Sequence, residues 1–326
     1  MAEALASPSV QVIRDSAACP RPDVGSAVTI GAYDGVHLGH RTVIGEVRRL
    51  AEERGLSTAV VTFDRHPATV VRPESAPKLL TDLDQKLELL ASTDVDYCHV
   101  VHFDAERATE AAEDFVKRVL VDCLNARLIV VGADFHFGHR RRGNVALLTE
   151  MGRELGFEVL GLDLVGADGR AAGAGNQVSS TAIRAALSAG DLPTANAWLG
   201  RPHQVRGVVK KGDQRGRTLG FPTANVAVPD DVQMPADGIY AGWFVRADGS
   251  VHPTAISLGR RPTFYVDQHQ SLLEAHLLGF DGDLYGESVR VSFVQHIRGE
   301  VRFDSVDDLV AQMARDCDEA KRILER

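Results

Sequence analysis

The chain has 326 residues, 44% of them hydrophobic, which is enough for two domains of about 100–200 residues, each with a buried core. Its net charge of −9 argues against non-specific nucleic-acid binding, because an anionic partner would need locally concentrated basic residues. No apolar run is long enough to cross a bilayer, and no signal-peptide pattern is present. We expect a cytoplasmic protein with reduced cysteines and no nucleic-acid or membrane partner, and a homo-oligomer is left open.

Strand-like and helix-like segments alternate through the first half of the chain. We predict strands over residues 10–13, 28–30, 58–63, 97–103, 127–131 and 158–164, and helices over residues 41–54, 83–90, 110–124 and 146–155. This alternation predicts an α/β domain with a parallel sheet covered by helices. Ligands of such sheets bind at the carboxyl ends of the strands, where three loops of this chain are expected to converge.

The first of these loops, residues 31–40, is a glycine-rich turn between a predicted strand and a predicted helix. Backbone N–H groups and the positive end of the helix dipole meet in such a turn, which suits a phosphate group. His37 and His40 add side-chain donors beside the amides of Gly31 and Gly39. The alternative is a tight turn with a helix-capping histidine. We favour the phosphate site, because three glycines and two histidines fall within ten residues.

The other two loops also carry histidines. In the second loop, residues 64–67, Pro67 favours an extended residue before it and so presents His66, although an ordinary loop histidine explains His66 equally well. The third loop, residues 132–139, precedes three arginines at 140–142, which we interpret as a basic rim for an anionic substrate; a solvated arginine run is the alternative. His136 and His139 lack the cysteines or the helical His-Glu-x-x-His pattern that would complete a zinc site.

Residues 178–184 open a further predicted helix, with Ser180, Thr181 and Arg184 close together. Hydroxyls, backbone amides and a guanidinium on one turn suit a pyrophosphate group, and a plain serine N-cap is the alternative. The glycine-rich stretch before it, residues 166–175, is not a dinucleotide fingerprint, because Val178 stands where the third glycine belongs.

The pattern changes after about residue 200. A short helix is predicted over residues 191–199, followed by strands over residues 204–209, 239–245, 251–258, 271–278 and 288–297 and a final helix over residues 305–324. Short, closely spaced strands separated by turn residues predict an antiparallel β-barrel with a terminal helix. We therefore predict a first domain over residues 1–188, a linker over 189–202 and a second domain over 203–326.

The predicted barrel has its own candidate site. Residues 207–217 are glycine-rich and basic but are not a Walker A loop, because Asp213 follows Gly212. Thr223 and Asn225, two residues apart on an extended chain, point the same way and offer hard oxygen donors to Mg²⁺ held with ATP; a turn at Pro222 followed by a strand is the alternative. Glu274 is a lone carboxylate in an apolar strand, where burial is costly unless it is paired, as a salt-bridged edge glutamate would be.

These motifs resemble the prokaryotic bifunctional riboflavin kinase/FAD synthetases. Residues 31–40 match the pattern Gly-x-x-Asp-Gly-Val-His-x-Gly-His, residues 179–184 match Ser-Ser-Thr-x-Ile-Arg, and residues 216–225 match Gly-Arg-x-Leu-Gly-Phe-Pro-Thr-Ala-Asn. Residues 259–264 match Gly-x-Arg-Pro-Thr-Phe. The chain departs from the family at Arg65, where a proline is usual, and at Gly279, where an aspartate is usual.

The resemblance implies a Rossmann-like nucleotidyltransferase domain followed by a riboflavin kinase barrel. The barrel would phosphorylate riboflavin with ATP to give FMN and ADP, and the first domain would adenylylate FMN with a second ATP to give FAD and diphosphate. It implies catalytic roles for His37 and His40, as hydrogen-bond donors to phosphate groups, and for Glu274 as general base. It further implies nucleotide contacts at Gly31, Asp34, Gly39, Asp134, Ser180, Thr181, Arg184, Gly207, Gly212, Arg217, Gly220 and Thr223, flavin contacts at Phe63, His66, Phe135 and Arg261, and Mg²⁺ at Thr223 and Asn225.

Two alternatives stay open. The first domain could adenylylate a different phosphorylated metabolite, because His-x-Gly-His enzymes serve several; the kinase-like barrel behind it favours a flavin. A non-enzymatic flavin-binding or regulatory protein could keep the same fold. His40, Asn225 and Glu274 argue against the second alternative, since binding alone does not need them.

Overall fold

The computed structural model describes residues 10–14, 19–163, 178–212, 215–260 and 271–325. The chain forms two compact units, one containing residues 1–77 and 83–179 and the other containing residues 78–82 and 180–326. The second unit thus includes a short segment from the first half of the sequence. The predicted linker at residues 189–202, which would separate the two catalytic domains, stays a prediction.

A six-stranded parallel sheet forms the centre of the first unit, in the order β1-β4-β3-β2-β5-β8. All five residues of β2 are buried, as expected for a sheet covered on both faces. The predicted α/β class is therefore confirmed. The strands are β1 Gln11–Arg14, β2 Ser26–Ile30, β3 Ser57–Phe63, β4 Tyr97–Val101, β5 Ala126–Gly132 and β8 Glu158–Leu162, and the pair β6 His136–Phe137 and β7 Gly143–Asn144 forms a separate hairpin.

Helices connect these strands. They are α1 Leu38–Arg54, α2 Pro67–Val71, α3 Leu83–Ala91, α4 Ala112–Phe115 and α5 Val145–Leu155. In α1, buried Ile44, Val47 and Leu50 recur at helical spacing, and the helix ends at Gly55, which has a left-handed φ of 65°. The single helix predicted over residues 110–124 is instead the short α4 followed by a π-helical stretch, Val116–Cys123.

The second unit contains a closed antiparallel barrel, which confirms the predicted architecture. Its strands follow the order β10-β13-β12-β11-β14-β9 around the barrel. They are β9 His203–Lys210, β10 Ala224–Ala227, β11 Gly238–Val245, β12 Val251–Arg260, β13 Ser271–Leu277 and β14 Ser288–Arg298. The short strand β10 was not among the predicted strands, because its four residues directly follow a turn.

In the part of the second unit that the structure describes, four helices accompany the barrel: α6 Ser180–Ser188, α7 Leu192–Leu199, α8 Arg215–Thr218 and α9 Val306–Leu324. Helix α9 begins at the cap Ser305, whose hydroxyl accepts the N–H of Asp308, and it buries Ala320 and Ile323 with Ala241 and Ala255 of the barrel wall. Within the described residues, no helix is both long and apolar enough to span a membrane.

The expectation of four reduced cysteines is wrong for one pair. Cys19 and Cys123 form a disulfide, whereas Cys98 and Cys317 are free thiols. The two bonded residues are 104 positions apart in sequence. They meet because the segment before β2 packs on the end of the π-helical stretch, where the Arg21 N–H donates to the carbonyl of Cys123 at 2.9 Å.

Candidate functional site

The first loop, residues 31–40, lies between β2 and α1 and brings its two histidines together. The rings of His37 and His40 stack with their centroids 3.6 Å apart. His37 is the N-cap of α1, and its Nδ1 accepts the backbone N–H of His40 at 3.4 Å. The helix-capping alternative and the predicted phosphate site therefore involve the same histidine.

The Nδ1 of His40 is a buried ring nitrogen without a hydrogen-bond partner among the described residues. Burial, followed by the charges of His37 and Lys86, holds the pKa of His40 well below its usual 6.5. The ring is therefore neutral at pH 7. A neutral imidazole donates from one nitrogen, so His40 is equipped to contact one phosphate oxygen.

The backbone of this loop is held in an unusual conformation. Tyr33 and Val36 have positive φ angles of 51° and 36°, which residues with a Cβ rarely adopt. The buried Tyr33 hydroxyl lies 2.7 Å from Thr29 Oγ1, and its ring meets His40 edge-on at 5.0 Å. A side chain on Gly39 would crowd the His37 ring and the Val178 carbonyl, both at 3.3 Å. Such conformations persist only where the surroundings enforce them, typically at ligand sites.

The second loop follows β3 and is held by polar contacts. Asp64 accepts the Phe103 N–H at 2.9 Å and lies 2.7 Å from His102 Nδ1. His66 caps α2, with its Nδ1 accepting the Ala68 N–H at 3.1 Å. Phe63, the predicted flavin contact, ends β3 and packs edge-on against the Phe103 ring.

Lys86 is a residue of this region that sequence reasoning missed. It is buried on α3, and its ammonium donates to the carbonyls of Ala32 and Phe63. A lysine in a buried position of an amphipathic helix was the available signal, because lysine is almost never fully buried without partners.

The third loop forms the hairpin β6–β7 and its turn. Asp134 is exposed, and Phe135 stacks on Phe137 with centroids 5.5 Å apart. The His136 and His139 rings donate from Nδ1 to backbone carbonyls, at 2.7 Å and 3.1 Å. The arginines at 140–142 are exposed, and the first two have positive φ angles of 53° and 58°.

Ser180, Thr181 and Arg184 lie on α6, in the second unit. Ser180 is the first residue of the helix, Thr181 is exposed, and Arg184 Nε donates to the Lys78 carbonyl at 2.6 Å. The first loop belongs to the other unit, so the expected pairing of these residues with His37 and His40 across one crevice stays a prediction.

The barrel brings Asn225 and Glu274 face to face. They lie directly opposite each other on the antiparallel strands β10 and β13, and Glu274 is opposite Ser257 of β12. Residues paired in this way point to the same side of a sheet. Asn225 Oδ1 is buried and has no hydrogen-bond partner among the described residues. An oxygen left in this state suits a hard cation.

Glycines allow the chain to approach this face closely. A side chain on Gly212 would collide with the Asn225 amide, and one on Gly207 would lie 2.5 Å from the Ala227 carbonyl. Thr223 immediately precedes β10, and His276 Nδ1 donates to the neighbouring Pro222 carbonyl at 2.7 Å. The other candidates here are Gly220, with a φ of 87°, and the exposed Arg217; Arg261 lies outside the described residues.

Comparison with known proteins assigns a family to each part of the chain. A family model for FAD synthetase matches residues 19–182, and one for riboflavin kinase matches residues 199–324. The crystal structure of a protein called a macrolide-efflux protein, from Streptococcus pneumoniae, superimposes with a TM-score of 0.80 at 29% identity, covering 95% of this chain and 98% of that chain. The transport role in that protein's name is not carried over to this chain.

Curated relatives match along nearly their whole length. A bifunctional riboflavin kinase/FMN adenylyltransferase of Haemophilus influenzae is 38% identical over 312 residues, covering 96% of this chain and 98% of the relative. Enzymes with the same name from Listeria monocytogenes and Escherichia coli K12 are 38% and 39% identical, each covering 90% of this chain and 91% of the relative. The resemblance inferred from the motifs is thus confirmed: the chain belongs to the family of bifunctional riboflavin kinase/FMN adenylyltransferases.

Proposed function

We propose that this chain makes FAD from riboflavin in two ATP-dependent steps. The second unit phosphorylates riboflavin to FMN and releases ADP, and the first unit transfers AMP from ATP to FMN and releases diphosphate. The observation that carries the proposal is the presence of a FAD synthetase match and a riboflavin kinase match in one chain, in that order.

In the kinase step, the terminal ribityl hydroxyl of riboflavin attacks the γ-phosphorus of ATP. Glu274 accepts the proton that this hydroxyl loses, and the bond to the bridging oxygen of ADP breaks. The opposed positions of Asn225 and Glu274 support this assignment, because the Glu274 carboxylate belongs to a residue directly across from the proposed Mg²⁺ ligand Asn225. Most of the rate enhancement comes from positioning the two substrates.

Thr223 and Asn225 are the residues that would hold Mg²⁺. The buried, unpartnered Asn225 Oδ1 fits a hard cation, and the Thr223 hydroxyl is a second oxygen donor near it in sequence. Bound Mg²⁺ would neutralise charge on the ATP phosphates. Because Gly212 and Gly207 have no side chains, the chain approaches Asn225 and the Ala227 carbonyl closely beside the same strand.

In the adenylyl-transfer step, an FMN phosphate oxygen attacks the α-phosphorus of ATP, and the bond to diphosphate breaks. His37 and His40 donate hydrogen bonds to phosphate oxygens in the first loop, where the amides of the α1 N-terminus also point. Ser180, Thr181 and Arg184 hold the leaving diphosphate. The buried, unpartnered His40 Nδ1 supports a ligand at this loop.

We place the enzyme in the cytoplasm with small molecules as its partners, and the number of subunits is left open. The use of ATP in both steps supports this location. The Cys19–Cys123 disulfide is unusual there, because cytosolic thiols are kept reduced.

One assay tests the proposal. The full chain is incubated with riboflavin, ATP and Mg²⁺, and the flavins are separated by chromatography over time. FMN should form first and FAD should follow, and chelating Mg²⁺ should stop both steps. A chain that binds flavin but forms neither product would show instead a non-enzymatic flavin-binding protein.

A further inference from the structure

Lys86 is a buried lysine that no part of the proposed mechanism uses. Its exposed fraction is 6%, and it lies on α3. Taking an ammonium out of water costs several kcal/mol unless partners compensate for the lost hydration. An apolar residue would fill the same space at lower cost, so the charge at this position needs a reason.

The ammonium joins the carboxyl ends of two neighbouring strands. Lys86 Nζ donates to the Phe63 carbonyl at 2.6 Å and to the Ala32 carbonyl at 3.3 Å. Phe63 is the last residue of β3, and Ala32 belongs to the first loop, directly after β2. Thr62 Oγ1 donates to the same Ala32 carbonyl at 3.2 Å. One side chain therefore ties the first loop to the end of β3, where the second loop begins.

The charges around the ammonium are mixed. The ionisable groups that act on Lys86 or are acted on by it are Asp34 of the first loop, Asp64 of the second loop, Cys98 of β4 and His40 of α1. Burial lowers the pKa of Lys86, while Asp34 acts in the opposite direction. Burial also raises the pKa of the Cys98 thiol to about 12, so this group is neutral at pH 7.

We propose that Lys86 is a positioning residue for adenylyl transfer: it fixes the first loop against the end of β3, where the second loop begins, and places a positive charge near His40. The inference rests on the proposed function of the first unit. Lys86 acts through Ala32, Phe63 and His40 rather than by touching a substrate. A fixed cation in a buried setting stabilises developing phosphate charge without reorganising during the reaction.

The two effects of Lys86 act on the same loop. The hydrogen bonds hold the backbone that leads into Tyr33 and Val36, whose positive φ angles need enforcement by their surroundings. Burial, then His37 and then the Lys86 charge lower the pKa of His40, so each of them disfavours a proton on this ring. His40 therefore enters the reaction as a neutral hydrogen-bond donor near the Lys86 ammonium.

The test compares Lys86→Met with Lys117→Met in the full-length chain. Lys117 is exposed in the π-helical stretch of the same unit, so its replacement is the matched control. Conversion of FMN to FAD, riboflavin phosphorylation and the NMR titration of the His40 ring are measured for each. We expect Lys86→Met to lower kcat for FAD formation about 100-fold with a smaller change in KM, as misplaced groups do. Riboflavin phosphorylation should be unchanged, and the pKa of His40 should rise, because one of the three causes that lower it is removed.

Several outcomes would overturn the inference. A Lys86→Met enzyme whose kcat stays within about twofold of the control, or whose His40 titrates as in the unmodified chain, removes Lys86 from this role. If Lys86→Met does not fold, Lys86→Gln is judged by the same two measurements. Lys86→Arg keeps the cation, and a raised His40 pKa in that variant would contradict the charge as the cause. An unmodified chain that makes no FAD from FMN refutes the proposed function instead.

Discussion

The two units hold their candidate residues in different ways. In the first unit the residues lie on loops that follow the parallel strands β2 and β3, and side chains such as Lys86 and Asp64 tie those loops down. In the barrel, Asn225 and Glu274 lie on the strands themselves, and the backbone ladder sets them opposite each other. A loop site thus depends on a few long-range side-chain contacts, whereas a strand site inherits its geometry from the sheet.

The largest expected effect comes from removing the histidine that the loop presents. His40→Ala should reduce conversion of FMN to FAD about 100-fold or more, because a preorganised donor to the phosphates is lost. Riboflavin should still be converted, so FMN should accumulate in a chromatographic time course. The kinase activity of the same chain is the control for folding. Equal loss of both steps would contradict separate sites.

The corresponding change in the barrel is Glu274→Gln. It should lower riboflavin phosphorylation by about 10²–10⁴-fold, the range typical of a lost general base. Supplied FMN should still become FAD. Glu287→Gln is the matched control, since Glu287 pairs with Arg246 on the barrel and has no proposed role in the reaction. Unimpaired kinase turnover in the Glu274 variant would remove this residue as the base.

Truncation tests whether the strand site is self-sufficient. A fragment starting at residue 180 keeps α6 and α7, and one starting at residue 199 loses Asn196, which bonds the Phe293 carbonyl and the His203 N–H. Both should phosphorylate riboflavin. The free energy of unfolding of the shorter fragment should be about 3–5 kcal/mol lower than that of the longer one, because removing these helices exposes the apolar surface that they covered. An inactive but folded longer fragment would show that the barrel borrows residues from the other unit.

The smallest expected effect concerns the disulfide of the loop-based unit. Cys19→Ser should lower the unfolding free energy of that unit by about 2–4 kcal/mol under non-reducing conditions, since a long loop is no longer closed. Cys19 is exposed, so serine itself is harmless there. Cys317→Ser in α9 is the control, and thermal melts with and without reductant make the comparison. Two readily titrated thiols in the unreduced native protein would show that the bond does not form.

Hydrophobic periodicity was sufficient to predict both fold classes. The alternation of strands and helices gave the parallel sheet, and the short strands after about residue 200 gave the barrel, because each pattern reports which faces must be buried. The break of residues 110–124 into α4 and a π-helical stretch was not predictable, because both forms bury a stripe of apolar residues. The strand β10 was hidden by its four-residue length beside a turn.

The sequence by itself determined the family, through motifs in which glycines, histidines and hydroxyls recur at set spacings. Only the tertiary structure decided which distant residues meet. The Lys86 contact with Ala32 and Phe63, the pairing of Asn225 with Glu274 and the Cys19–Cys123 bond all join segments far apart in the chain. Local sequence patterns cannot predict such contacts, because they form only when elements that are distant in the chain pack together.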